Sequence, residues 1–156
     1  MAGNAYEIVP WHVRHAAAFR SLNEWWLERW FEIEPVDARL LADPEHQLLR
    51  KGGEVWFAVE GDRVLGCVAL KPIDAGRFEL TKLAVYPEVH RGGVGRALCE
   101  KVIERFAARG GTLLFLETNT VLEPAIRLYE RIGFEHRPHP GGSDYARSNV
   151  YMEFCG

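Results

Sequence analysis

Apolar and polar positions alternate in two rhythms along this chain, and the rhythms define its elements. Tyr6–Pro10 ("YEIVP") alternates like a short strand. From Trp11 onward, Val13, Ala16, Ala17, Phe19, Leu22, Trp26 and Trp30 recur at helical spacing. Pro10 is placed to open that helix as a first-turn proline. A second short helix spans 34–44 and closes at Pro44. Three strand patterns come next: "EVWFAVE" (54–60), "VLGCVALKP" (64–72) and "RFELTKLAVYP" (77–87). They are separated by "GDR" and "DAG", both hairpin signals.

In the third strand Phe78, Leu80 and Lys82 fall on one face, and Glu79, Thr81, Leu83 and Val85 on the other. The run Leu83-Ala84-Val85 breaks the alternation and predicts a bulge there. "VGRALCEKVIERFAARGG" is an amphipathic helix with Val94, Leu98, Val102 and Phe106 four apart, stopped by Gly110-Gly111. "TLLFLET" (112–118) is almost wholly apolar, as a strand inside a sheet is. A helix over "EPAIRLYERIGF", a strand near "FEHRP" and an alternating strand over 145–154 complete the chain. The order β-α-α-β-β-β-α-β-α-β-β is mixed α/β. No repeat, linker or low-complexity tract divides it, so residues 1–156 read as a single domain.

Composition adds exclusions. Net charge is 19 − 22 = −3, which gives no support to nucleic-acid binding. No apolar run reaches the about 20 residues of a membrane span. The first residues, "MAGNAYEIVP", lack the basic and apolar regions of a secretory signal, and a cytoplasmic setting is expected. Cys67, Cys99 and Cys155 have no metal spacing; Cys67 and Cys99 fall on apolar positions and read as core thiols. His12 and His15 have no acidic or cysteine partner nearby, so no metal is expected.

Chemistry concentrates in "HRGGVGRAL" (90–98). Glycines so dense cost conformational entropy and suit a backbone that turns sharply or lies against a ligand. The loop joins a strand to a helix. The free N–H groups and positive dipole end of that helix favour a phosphate. A plain strand-to-helix turn is the alternative. The nucleoside-triphosphate pattern GxxxxGK[ST] is absent, and Gly93-Val94-Gly95-Arg96-Ala97-Leu98 fails the dinucleotide pattern at its third position.

"LAVYPEVHRGGVGRAL" together with the later "AIRLYERIGF" resembles the GNAT superfamily of acetyl-CoA-dependent N-acetyltransferases. The resemblance covers roughly residues 54–154. It implies a mostly antiparallel twisted sheet of about seven strands flanked by about four helices. It further implies direct transfer of an acetyl group from acetyl-CoA to a primary amine of a small molecule, amino acid or peptide. A non-catalytic acyl-CoA-binding module is the rival on the same fold. The family's [QR]xxGx[GA] core begins here with His90 in place of Gln or Arg, and Arg91 follows it. The backbone of Arg91, Gly92, Gly93, Val94, Gly95 and Arg96 would hold the pyrophosphate. Leu83, Ala84 and Val85 would pair with the pantetheine, and an amide near Ala84 or Val85 would face the oxyanion. The family's asparagine ahead of the second motif is Leu122 here, and Asn119 is its nearest substitute.

The acceptor amine must lose a proton, because a lysine-like amine is neutral in only about 1 molecule in 2,500 at pH 7. Glu79 in "ELTKLAV" matches the family's base; its plain reading is a strand carboxylate paired with Lys82 or Arg77. Glu117 is the second choice. Tyr129 holds the position of the family's acid, and its plain reading is a core aromatic. Resemblance places the acceptor between the first helices and the last strands. Trp26 and Trp30 read as core, while Trp25, Glu28, Arg29 and Phe31 read as walls. Tyr145, Arg147 and Asn149 share a strand face, where Arg147 suits a carboxylate fork. A homodimer through late strands is a further expectation from the resemblance.

Overall fold

The computed structural model describes residues 6–141 and 146–156, with backbone alone at 90–92. Along the chain run β1 (Glu7–Pro10), α1 (Ala16–Trp30), α2 (Pro35–Ala42), α3 (Pro44–Gln47), β2 (Glu54–Glu60), β3 (Arg63–Asp74) and β4 (Arg77–Val85). Then come α4 (Val94–Ala108), β5 (Leu113–Thr118), α5 (Glu123–Ile132), β6 (Phe134–His136) and β7 (Val150–Phe154). The seven strands form one sheet in the order β1-β2-β3-β4-β5-β7-β6. Every neighbouring pair is antiparallel except β4 and β5.

The expected order of elements holds, with three local differences. Pro10 ends β1 opposite Trp56 instead of opening a helix. An edge strand tolerates its missing N–H, and α1 comes after a 3₁₀ turn over Val13–His15, capped by the His12 ring. Pro44 both closes α2 and opens α3, where the Asp43 side chain accepts the His46 amide, so the described residues form five helices where about four are expected. The last strand begins at Val150, not 145, after a turn at 146–147.

Each face of the sheet buries its own core. Leu98, Val102, Leu116 and Phe134 pack under α4 and α5 on one face. Phe19, Leu22, Leu40 and Phe57 pack with α1 and α2 on the other. Burial pushes the Cys67 and Cys99 thiols up to about 12, which makes both inert core thiols. Trp30 departs from the core reading: it is 45% exposed.

The expected bulge exists but sits earlier. Cys67 pairs with Ala84 and Ala69 with Thr81, so Lys82 and Leu83 together oppose Val68. Lys82 has φ +57, the one positive φ at a non-glycine among the described residues. The extra residue exchanges the faces of the strand positions beyond it. Leu83 and Val85 pack on the α4–α5 side with Leu80, while Ala84 joins the α1–α2 core. Lys82 also turns to that second side, where it meets Asp37 of α2. Simple alternation places Lys82 with Phe78 and Leu80 instead, and the bulge overrides it.

Candidate active site

The bulge has a consequence for the neighbouring strand. β4 and β5 pair only over Arg77–Glu79 and Leu113–Phe115. Beyond that point β5 continues against β7, and β4 leans away. A cavity of about 720 Å³ opens between them. Its walls are Leu80–Val85 of β4 and Leu116–Thr118 of β5, continued by Asn119. Trp26 and Phe31 cover one side, and Leu128 and Tyr129 of α5 the other.

At one end lies the start of α4. Gly93 caps it with φ +72, and as a glycine it offers the helix amides no side-chain cap. Gly93, Gly95 and Arg96 border the cavity. The N–H groups and dipole of the first turn therefore face it, an arrangement that suits an anion. Arg96 is held along the helix by Glu100 at 3.0 Å. Val94 is in the core. The backbone of His90, Arg91 and Gly92 belongs to a 3₁₀ turn over Pro87–Gly92.

Backbone polar groups of β4 face the gap. The Val85 carbonyl accepts Trp26 Nε1–H at 3.0 Å. A strand residue aims its N–H and C=O to the same side, so the Val85 amide shares that direction.

Tyr129 lines the cavity, 6% exposed, with its ring edge-on to Phe134 at 5.9 Å. Burial pushes its phenol well above the usual tyrosine range, aided by the nearby Cys99. Glu117 also lines the cavity, and its Oε1 accepts His139 Nε2–H at 3.0 Å. The Gly141 amide donates to His139 Nδ1 at 2.8 Å. This fixes the neutral ring with its proton on Nε2, toward the carboxylate. No pattern in the sequence singles out His139, which stands 22 residues from its partner.

Glu79 is 5% exposed and lies where β4 still pairs with β5. Opposite Lys71, it shares the α1–α2 side with Ala69, and its charge reaches Lys82. It is not among the residues that line the cavity.

The expected acceptor residues divide. Arg29 stacks between Trp25 and Trp30, at 5.3 and 5.7 Å. Trp25 and Arg29 lie outside the lining, which Trp26 and Phe31 supply instead. The buried stripe of α1 runs through Phe19, Leu22, Asn23 and Leu27, so Trp26 borders it and Trp25 does not. Tyr145 lies outside the described residues. Asn149 takes the Thr120 amide at 3.0 Å and ties two loops together. Asn119 lines the cavity, but Nδ2 donates to the Arg147 carbonyl at 2.7 Å and Oδ1 accepts the Val121 amide.

Arg147 borders the cavity, yet its fork is already filled. It meets both oxygens of Asp37, at 2.7 and 3.0 Å, and Glu34 at 3.2 Å, above the Phe31 ring. The sequence pattern assigned this fork to a substrate carboxylate; a neighbouring helix supplies one from within. Burial alone would raise the Asp37 carboxyl, but Arg147 and Lys82 together hold it below the usual carboxylate range. Burial also pulls Lys82 down against Asp37. Asp37 thus answers two cations and a backbone amide. Among the described residues no group of His, Cys, Asp and Glu could hold a metal ion.

A split sheet with a glycine-capped helix at one end of the gap defines an acyltransferase-type architecture. The match to the Acetyltransferase (GNAT) family over residues 19–134 makes the assignment specific, and the chain belongs to that family. It is 37% identical over 90 residues to YsnE of Bacillus subtilis (strain 168), an uncharacterized N-acetyltransferase, covering 55% of this chain and 60% of that protein. The chain spans about half the length of several other curated relatives it matches. The fold is shared with a GNAT-family acetyltransferase from Staphylococcus aureus Mu50 (TM-score 0.86, 18% identity, 96% of this chain and 98% of the other). It is also shared with YncA, a putative acetyltransferase from Salmonella typhimurium whose structure holds acetyl-CoA (TM-score 0.77, 19% identity, 97% of this chain and 94% of the other).

Proposed function

We propose that this protein moves an acetyl group from acetyl-CoA to a primary amine of a small molecule, amino acid or peptide, with both substrates bound at once. The observation that carries the reading is the cavity itself. An anion-binding helix start lies at one end, and a carboxylate and a buried phenol stand in its walls.

The amides from Gly93 to Arg96 hold the pyrophosphate, and the exposed backbone edge of β4 pairs with the pantetheine as an added strand. Glu117 takes one proton from the acceptor ammonium and frees the lone pair that bonds to the acetyl carbon; the second proton of that nitrogen passes to solvent as the amide forms. The Val85 amide faces the oxygen that gains charge. Tyr129 gives its proton to the sulfur as the carbon–sulfur bond breaks. The products are an acetamide and CoA with a free thiol. Glu117 is preferred to Glu79 as the base because it lines the cavity. Geometry comes before basicity in that choice.

The test is acceptor-dependent thiol release over a panel of amines, amino acids and peptides, with wild type, Glu117→Gln and Glu79→Gln. Wild type is expected to release thiol only with a suitable acceptor. Glu117→Gln is expected to lose about 10²-fold in kcat at pH 7, with Glu79→Gln much less affected. The reverse ranking returns the base to Glu79. Acetyl-CoA binding without turnover on any acceptor would leave the non-catalytic binder.

Gly93→Ala probes the pyrophosphate end. A Cβ there meets nothing within 4 Å, but φ is +72, and an L-residue held there costs about 1 kcal/mol or more. Acetyl-CoA binding, read by titration calorimetry, is expected to weaken about tenfold as the first turn of α4 shifts. Unchanged binding would separate this turn from the cofactor.

A further inference from the structure

The buried ion cluster beside the cavity takes no part in the proton transfers of Glu117 and Tyr129. Asp37 has no exposed surface and accepts four hydrogen bonds. Oδ1 takes Lys82 Nζ at 2.7 Å and Arg147 Nη2 at 3.0 Å. Oδ2 takes Arg147 Nη1 at 2.7 Å and the Glu34 amide at 3.0 Å. The donors come from three separate places: the β4 bulge, the segment before β7, and the entry to α2.

Lys82 and Arg147 stand on opposite walls of the cleft. Lys82 carries the bulge that turns β4 from β5, in a backbone conformation that L-residues avoid. Arg147 is fastened to the far wall. Its carbonyl accepts Asn119 Nδ2, and the nearby Asn149 amide bonds the Thr118 carbonyl at 3.0 Å. Asp37 therefore joins the two walls through one carboxylate. The helix that carries it is anchored by buried Leu40 and Leu41.

We propose that Asp37 is a positioning residue for acyl-CoA binding: its bond to the Lys82 ammonium holds residue 82 in the left-handed conformation that keeps the bulge, and the bulge sets the opening of the cleft. The proposal rests on the reading of that cleft as the acetyl-CoA site. Without that bond a non-glycine residue at 82 is freed to relax toward ordinary pairing, and the cleft loses its set opening.

Two substitutions of one residue separate backbone geometry from charge. Lys82→Ala and Lys82→Gly both remove the ammonium, but only glycine enters positive φ without strain. Acetyl-CoA dissociation constants are measured by calorimetry for wild type, Lys82→Ala, Lys82→Gly, Asp37→Asn and the Asp37→Asn/Lys82→Gly double variant, with thermal melts to show that each is folded. Lys82→Ala and Asp37→Asn are expected to weaken binding about tenfold or more, and Lys82→Gly to stay within about threefold of wild type. Asp37→Asn is expected to change affinity by less than about threefold when glycine already holds the bulge. Equal affinities for the alanine and glycine variants would overturn the proposal. So would a lowered melting temperature for Asp37→Asn with unchanged affinity. Failure of wild type to bind acetyl-CoA would overturn the cleft assignment itself, and the proposal with it.

Discussion

Replacing Tyr129 by phenylalanine is expected to lower kcat about a hundredfold and to leave the KM for acetyl-CoA within about twofold. The substitution removes one hydroxyl from a ring that stays packed on Phe134. Little stability depends on that hydroxyl, because the ring supplies the packing. Burial keeps the phenol protonated at neutral pH, which is the state a donor requires. A thiol of ordinary pKa, about 8.5, ends protonated at neutral pH, so the departing sulfur takes up a proton there. The deficit of the phenylalanine variant is expected across the neutral range. Steady-state rates from about pH 6 to 9.5 measure it. An unchanged kcat would make Tyr129 a packing residue and return the proton to solvent.

The second large effect is on stability. Asp37→Ala leaves the buried Lys82 and the part-buried Arg147, which keeps Glu34, facing each other across an empty site. Breaking a buried pair from one side costs about 3–5 kcal/mol. In a domain of this size that corresponds to a drop in melting temperature of roughly 10 °C. Circular dichroism melts at neutral pH test this, and a change within about 2 °C would show that the cluster contributes little net stability.

The same carboxylate predicts an acid limb. Its folded pKa lies below the ordinary 3.8. Its contribution is therefore complete above that value and is lost as pH falls through the folded pKa. Wild type should lose stability more steeply below about pH 4 than Asp37→Asn does.

Most of the fold was legible because its signals are local. The spacing of Val94, Leu98 and Val102 sets α4, and hairpin signals flank β3. The glycine loop was legible for the same reason, since Gly93 at φ +72 is a conformation the residue type itself announces. The bulge was legible only in outline. Broken alternation near 83–85 reported an extra residue, but Asp37, 45 residues away, decides that Lys82 bears it. Arg147 shows the same limit. Its spacing with Asn149 suggested a strand face, yet its partner lies 110 residues off on α2. Trp25 and Trp26 are neighbours in sequence with opposite fates, because the position of α1 on the sheet decides which one reaches Val85. His139 had no signal at all: a single histidine in a proline-glycine loop gains meaning only when tertiary packing brings it to Glu117.

Three residue pairs are the whole seam between β4 and β5. Mechanically the sheet is two plates, β1 to β4 and β5 to β7, joined along a short hinge and braced by side chains. A molecule laid along the gap supplies the rungs the backbone omits. On the proposed reading the acyl donor would stand in that gap as an added strand, a structural member of the sheet for as long as it is bound.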